Sequence, residues 1–582
     1  MSVPTLRVAL MQVNVTVGDI SGNKLKIIEK IAWSRRLQAD LVVFPEMAIT
    51  GYPPEDLLLK PHFIRAAKEA MEAIAQTVHR EVVLLGSVDS DFDIYNTMAV
   101  LHAGQMIARY RKRNLPTYGV FDEDRYFRPG TAAVLLDMGV RIGLSICEDL
   151  WLPSGVCKDE AFQGRADVLV NISASPYQRG KTLQRERMFQ TRALDYGCPV
   201  LVCNLVGGQD ELVFDGNSAV FDSDGSIPAK AKAFEENSVV FDLKVPEPFR
   251  RQLRNPRLRK EIQGIDGSCN GGMGVVELPN ALTPEPKPPL PPLGVSYPLS
   301  DQEEVLEALK LGLKDYVTKN GFSRVVVGLS GGIDSALVAS LAVLTLGKEN
   351  VLAVSMPSRF TSELSFRCIK QLSENLGVEV WSMPIDKTFA SYLADLELHF
   401  HELPHGTAEE NIQARIRGNL LMAVSNKLGY LVLATGNKSE LSVGYCTLYG
   451  DLAGGFALIK DVPKTLVYEL AHLVNQKAGF SLIPEEVIFR PPSAELKEGQ
   501  KDEDSLPPYR ELDTILHAYV EEDASLKEIV GLGFSEEVVR RVIQMVDSSE
   551  YKRRQAPPGV KITPKAFGKD RRMPITQRFF AE

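Results

Sequence analysis

The sequence predicts an α/β protein of two domains, and three observations predict it. Its 582 residues exceed what one ordinary hydrophobic core organises. Short runs rich in Val, Ile and Leu alternate with stretches of helical periodicity in both halves. Between the halves, PEPKPPLPP places six prolines in the nine residues 284–292, a composition that continues neither a helix nor a central strand and favours extended polyproline II. The expected layout is a first domain over residues 1–270, a Pro-rich linker over 271–299 and a second domain over 300–582.

In the first domain LRVALMQVNV, DLVVFPEMAI, EVVLLGSV, RIGLSICEDL, DVLVNISASP and PVLVCNLVGG read as buried strands, with KLKIIEKIAWSRRLQA a helix after the first. In the second, SRVVVGLS, NVLAVSMP, GVEVWSMP and YLVLATGN alternate with helix-like segments, the pattern of a parallel sheet wrapped by helices. The tail near EEVIFRPPSAELKEGQ reads as loop-rich and EEVVRRVIQMVDSSEYKRR as helix. No internal repeat is visible.

Composition narrows the function classes. Hydrophobic content of 44% with 24% charged residues describes a soluble globular chain without a stretch of the roughly 18 apolar residues that cross a bilayer. MSVPTLRVALMQVNV leads into a strand pattern rather than a signal peptide, so the cytoplasm is the expected compartment. Seven cysteines without a C-x-x-C pair argue against a disulfide framework and a structural zinc site. His399, His401 and His405 in HFHELPH read as a polar loop, because no cysteine or matched acid completes a metal site. A net charge of −9 argues against general affinity for nucleic acid. Locally, eight Lys or Arg against one Asp between Lys552 and Arg572 form a basic tail. That tail suits either nucleic acid or small polyanions, and its FG and PI elements favour a packed segment over small polyanions.

VVVGLSGGIDSALVASLAVL, residues 325–344, is a strand, a Ser-Gly-Gly turn and a helix. Ser330, Gly331 and Gly332 permit close backbone approach, and the helix directs its amides and positive dipole end at the turn, where a phosphate fits. Asp334 and Ser335 follow at fixed offsets without the Lys of a Walker loop, which suits a carboxylate holding Mg²⁺. SGGIDS resembles the pyrophosphate loop of the ATP pyrophosphatase superfamily, whose members transfer AMP. The stretch 433–471, containing ATGNKSE, YGDLAGG and VPKTLVYELA, is similar to its NAD synthetase branch. That resemblance implies Glu440 joining Asp334 on magnesium, and contacts to ATP from Thr435, Lys464 and Ser493. It implies contacts to nicotinic acid adenine dinucleotide from Asp451, Asn411 and Arg415. The bland alternative for Glu440 is a solvated acid at a helix start. The tail resembles the end of glutamine-dependent NAD synthetases, where basic residues cover the substrates; Lys565, Arg571 and Arg572 are the candidates, with Lys565 preferred for the dinucleotide.

An isolated cysteine is by base rate buried filler, yet Cys147 ends a strand and meets Glu148 and Asp149 at once, which suits a turn presenting a nucleophile. Glu46 in LVVFPEMAITGY and Lys112 in RYRKRNLPTYGVFDEDRYF complete an ordered set that resembles the nitrilase superfamily and, in its KRNLPTYGVFDE context, the glutaminase branch. The implied fold is a nitrilase-like αββα sandwich followed by a Rossmann-like parallel-sheet domain. The implied roles are Cys147 as nucleophile, Glu46 as general base and Lys112 as oxyanion partner. A Cys-His-Glu glutaminase is disfavoured, since no histidine lies between Cys147 and His399. Tyr118 and Ser175 line the implied glutamine pocket, and Lys181, with Arg179 as competitor, meets the α-carboxylate.

The two halves explain each other, because an adenylated carboxylate awaits a nitrogen nucleophile and a glutaminase supplies ammonia. The resemblance implies glutamine, ATP and nicotinic acid adenine dinucleotide as substrates, with no nucleic acid or membrane partner. It also implies self-association, at least as a dimer through the synthetase domain. A water-poor passage for ammonia, with the Tyr118 loop coupling the domains, is a further expectation. The alternatives are an ammonia-only synthetase, another adenylating amidotransferase, and a regulatory protein using the basic tail on nucleic acid.

Overall fold

The computed structural model describes residues 5–245, 259–260, 272–278, 281–282, 287–290, 298–400 and 403–579. The chain divides into two compact units, Met1–Gln209 with Val213–Pro298 and Asp210–Leu212 with Leu299–Glu582.

In the first unit, a six-stranded sheet runs in the spatial order Asn237–Lys244, Thr5–Gln12, Leu41–Val43, Val82–Ser90, Ile94–His102 and Gln105–Arg111. A seven-stranded sheet runs Ala229–Lys230, Ala219–Phe221, Val200–Asn204, Val168–Ser173, Arg141–Ile146, Ala133–Asp137 and Met273–Glu277. The sheets pack face to face. Leu6, Val8 and Leu10 alternate into the shared core with Ile142, Leu144 and Ile146, as the two-residue period of a strand requires. The Cys203 thiol bridges the layers, 3.2 Å from the Val43 carbonyl oxygen. Helices Ile20–Arg36 and Pro61–Ala75 cover the first sheet, Val156–Phe162 and Lys181–Tyr196 the second, completing an αββα sandwich. Covered faces explain why the inner strands read as unbroken apolar runs.

The segment read as linker is more than a tether. Met273–Glu277 forms an edge strand parallel to Ala133–Asp137, because its Val275-Val276 pair precedes the prolines that forbid a ladder. Further on, Lys287 ion-pairs with buried Asp40 and Arg7 donates to the Pro288 carbonyl at 2.8 Å. Residues 271, 279–280, 283–286 and 291–297 of that segment lie outside the described residues.

The second unit contains five parallel strands in the order Glu379–Ser382, Val351–Ser355, Val325–Leu329, Leu431–Ala434 and Phe456–Ala457. The first strand in the chain is thus central, with the next two on one side and the last two on the other. Between Val325–Leu329 and Leu431–Ala434 the order reverses, and the carboxyl ends at such a switch point form the usual ligand crevice of open α/β sheets. Helix Asp301–Lys319 starts on a capping box, with Ser300 Oγ accepting from Glu303 N at 3.3 Å. The basic tail is folded: Phe567 and Arg571 are buried, and Lys561 pairs with Asp570 at 2.9 Å. His399 lies on helix Asp386–Phe400 rather than in a loop, the helical run FASYLADLEL carrying the chain through it; His401 lies outside the described residues. Among the described residues no group of His, Cys, Asp and Glu is arranged as a three-ligand metal cluster, and no helix is long and apolar enough to cross a membrane.

Gly86 lets strand Val82–Ser90 close on the turn that carries Glu46: a Cβ there would stand 2.3 Å from the Pro45 carbonyl oxygen and 2.6 Å from Glu46 Cα. Gly86→Ala is expected to destabilise the first unit by about 1–3 kcal/mol, the ordinary cost of overpacking, measured as a lowered urea midpoint.

Candidate active sites

Strand ends build the first site. Glu46 follows Leu41–Val43, Lys112 follows Gln105–Arg111, and Cys147 follows Arg141–Ile146, where it opens the single turn Cys147–Leu150 at φ +44°. That left-handed backbone is strained for a residue with a Cβ. The Lys112 ammonium is removed from water and lies 2.7 Å from Glu46 Oε1 and 2.8 Å from Glu123 Oε1. Glu46 is held from both ends, Oε1 accepting also from Asn96 Nδ2 at 2.7 Å and Oε2 from the Ala174 amide at 2.8 Å. Tyr52 OH donates to Glu123 Oε1 at 2.9 Å.

Burial pushes the Cys147 thiol up from its ordinary value, the Glu46 carboxylate pushes the same way, and the Lys112 ammonium opposes both. Against its own burial, Lys112 is raised well above an ordinary lysine by Glu123 and Glu46. Burial pushes Glu123 up to about 7, with Lys112 opposing and Glu46 adding to the rise. The resting arrangement is a neutral thiol beside a charged ammonium and a carboxylate base, which suits thiol attack on an amide.

Of the residues read as glutamine contacts, Tyr118 is half exposed; its hydroxyl donates to Glu148 Oε2 at 2.8 Å and its ring meets Phe121 edge-on. Lys181 begins helix Lys181–Tyr196, donates to the Pro176 carbonyl at 3.1 Å and places its Nζ 5.9 Å from the Phe121 ring centre. Phe121 therefore joins these two residues. Ser175 is buried, its amide donating to Asn204 Oδ1 at 2.9 Å.

The second site occupies the switch point. Ser330 Oγ and Ser335 Oγ are 3.1 Å apart and Gly332 N donates to Ser330 Oγ at 3.2 Å, so the loop is held by its own hydroxyls. Gly331 has φ +82°, and a Cβ would press on the Ser365 backbone at 2.9 Å. Asp334 forms an ion pair with Lys464 and accepts from Asn437 Nδ2 at 2.9 Å. Glu440 Oε1 lies 3.4 Å from the same Lys464 Nζ. Asn437 and Glu440 form the capping box of helix Lys438–Val443, which fixes the carboxylate at the sheet edge. Thr435 lies there too, one residue past Leu431–Ala434.

Burial pushes Glu440 up to about 8, with Lys464 opposing and Asp334 adding to the rise; Lys464 is itself raised by Asp334 and Glu440 against its burial. Two carboxylates gathered on one ammonium make a set of hard oxygen donors that fits Mg²⁺, an ion commonly held by one or two carboxylates together with substrate phosphates. Ser493 accepts from the Glu495 amide at 3.2 Å; Glu495 in turn pairs with Arg490 at 3.0 Å, and Arg490 donates to the Gly331 carbonyl at 3.3 Å.

Thr447 links two predicted dinucleotide contacts: its hydroxyl donates to Asn411 Oδ1 at 2.7 Å and its amide to Asp451 Oδ1 at 2.6 Å. Arg415 donates to the Leu448 carbonyl at 3.2 Å and lines a cavity of about 570 Å³ with Tyr392, Asn419, Met422 and Tyr449. Burial pushes Asp451 up to about 6. Lys565 has its ammonium on Asp523 at 2.5 Å.

Sequence reasoning missed Glu123, Asn437 and Asp513. Glu123 stands in the quoted VFDE and Asn437 in ATGN, yet neither spacing nor composition separates them from surface residues. Asp513 accepts from Ser439 Oγ, and from the Thr465 amide and hydroxyl at 2.9 and 2.8 Å, an arrangement that spans distant segments.

The folds and sites define a two-unit class, a thiol amidase of nitrilase type joined to an adenylating α/β domain. Residues 7–247 match the carbon-nitrogen hydrolase family and residues 305–556 the NAD synthase family. The chain is 46% identical to the glutamine-dependent NAD(+) synthetase of Thermotoga maritima, covering 99% of each, and 46% identical to that of Aquifex aeolicus, covering 99% of this chain and 100% of the other. The solved glutamine-dependent NAD+ synthetase of Acinetobacter baumannii, in complex with ADP, matches with a TM-score of 0.73 at 38% identity over 98% of both chains. The chain belongs to the glutamine-dependent NAD(+) synthetase family, whose members are ligases.

The raised Glu123 carboxyl gives a signed pH dependence. Unfolded, this group titrates near 4.5; folded, near 7, so the native state holds the extra proton between those values. Its stabilisation is complete below 4.5 and is lost as pH rises through 7. Melting of the first unit should fall across that window, and Glu123→Gln should flatten the slope.

Proposed function

We propose that this chain forms NAD from nicotinic acid adenine dinucleotide, ATP and glutamine, releasing AMP, pyrophosphate and glutamate, with residues 1–270 as glutaminase and 300–582 as synthetase. The observation that carries the reading is that each unit holds its own buried lysine-carboxylate site, one beside a cysteine and the other beside a Ser-Gly-Gly loop. Glutamine sits against Tyr118, Ser175 and Lys181. Cys147 attacks its side-chain amide carbon while Glu46 takes the thiol proton, Lys112 stabilises the oxyanion, and Glu46 returns the proton to the departing ammonia. Water then hydrolyses the thioester.

In the second unit the amides of Ser330–Gly332 and the start of helix Ile333–Leu346 receive the ATP phosphates, with Ser335, Thr435, Lys464 and Ser493 around the nucleotide. Asp334 and Glu440 would hold Mg²⁺, which supplies charge neutralisation on the pyrophosphate. Asn411, Arg415, Asp451 and Lys565 hold the dinucleotide, whose carboxylate becomes an acyl adenylate that ammonia attacks. Lys565 would have to leave Asp523 for this contact. The ADP-bound relative supports use of an adenine nucleotide.

Glutamine-driven NAD formation should fall about 10³-fold or more in Cys147→Ala, with ammonium-driven formation kept within about threefold. Asp334→Asn should lose both and stop pyrophosphate release. Equal loss with both donors in Cys147→Ala would overturn the two-site reading. The exposed Leu398, Leu403 and Tyr449 of the second unit support self-association there, and sedimentation should show at least a dimer; a monomer at micromolar concentration would refute it.

A further inference from the structure

We propose that Asp149 is a positioning residue that sets Cys147 and Lys112 against each other; the inference rests on the roles proposed for those two residues. Its carboxylate is wholly buried and accepts from five donors. Oδ2 receives the Ile146 amide at 3.0 Å and the Tyr110 hydroxyl at 2.7 Å. Oδ1 receives the Arg113 amide at 3.2 Å, the Asn114 amide at 2.9 Å and Asn114 Nδ2 at 2.8 Å.

The position of those donors carries the argument. Ile146 immediately precedes Cys147, Arg113 immediately follows Lys112, and Tyr110 lies two residues before it, so one carboxylate grips the chain beside both reacting groups. Cys147 also sits in left-handed backbone, a conformation that persists only where surrounding bonds over-determine it. Asp149 anchors the peptide just before that residue and the turn just after it. A carboxylate is suited to the task because both its oxygens only accept, whereas an amide of the same shape would turn a donor toward either the Ile146 and Tyr110 pair or the Arg113 and Asn114 trio. The expected consequence is a nucleophile and an oxyanion partner displaced relative to each other while the glutamine pocket around Tyr118 and Ser175 stays in place.

The test uses the full-length chain with Asp149→Asn, and with Tyr110→Phe and Asn114→Ala as milder changes that each delete one donor. Glutamine hydrolysis is measured as kcat and KM per active site, the sites being counted by stoichiometric labelling with iodoacetamide over a Cys147→Ala blank. Asp149→Asn should lower kcat about 10²-fold, with KM within about threefold. The milder variants should lower kcat several-fold, and ammonium-driven NAD formation should be unchanged in all three. A purely architectural role would reduce the number of labelled sites and leave turnover per site intact, and that result would overturn the proposal. Should Asp149→Asn fail to fold, unchanged kcat in both milder variants would overturn it equally. Cys147→Ala and Lys112→Ala run alongside: if either hydrolyses glutamine normally, the functional reading itself falls, whereas normal Asp149→Asn beside inactive controls sinks this inference alone.

Discussion

Lys112 has been taken wholly out of water, and Glu46 and Glu123 are the two carboxylates that keep it charged there. A buried ammonium loses several kcal/mol of hydration, so removal of either partner leaves a charge that the interior cannot tolerate. With two carboxylates and one ammonium, the cluster would carry net negative charge, and the rise of Glu123 toward neutral pH relieves that excess. Glu46 is held beside Lys112 by the Asn96 side-chain amide and the Ala174 backbone amide. The second unit repeats the device: Lys464, 2% exposed, is gripped by Asp334 and Glu440, which remain 17% and 19% exposed.

Both clusters exist because the sheets bring strand ends together. In the sandwich, Glu46, Lys112 and Cys147 follow three strands from two sheets, so face-to-face packing determines their separation. Gly86 admits the Glu46 turn to that packing, and Asp149 ties the cysteine turn to the lysine loop. In the second unit the register between Val325–Leu329 and Leu431–Ala434 is parallel, and the two connections leave in opposite directions. Asp334 and Glu440 then meet on Lys464, and the Asn437 cap of the second helix donates to Asp334.

Legibility in the sequence followed the range of the interactions. Val326 and Val432 announced buried strands through local composition, and SGGIDS announced a turn with an anion-facing helix through residues that touch within one loop. The strand Gln105–Arg111 escaped because its QMIARYR pattern is that of an exposed edge. Met273–Glu277 escaped because five residues beside a proline run give no period to read. At the sites, motif order singles out Cys147, Glu46 and Lys112 but not Glu123, since its significance is a distance to Lys112. Lys464 was read as a phosphate contact; that it also joins Asp334 to Glu440 depends on bringing residues 130 positions apart together.

The two lysine clusters differ in access to water, and the difference fits the substrates proposed for each. In the cleavage proposed for the first unit a neutral carboxamide expels neutral ammonia, so that cluster gains by excluding water, which would compete for the oxyanion and weaken every charge interaction. Its thiol stays protonated until a base beside it acts, which protects a buried cysteine from ionising without a partner. ATP and a dinucleotide are polyanions that must be met by a cation, by loop amides and by solvent exchange of counter-ions. On the proposed reading the part-open carboxylates of Asp334 and Glu440 would admit Mg²⁺, and the Lys464 ammonium offsets their like charge. A closed cluster in the second unit would exclude its own substrate, and an open one in the first would expose the oxyanion to water.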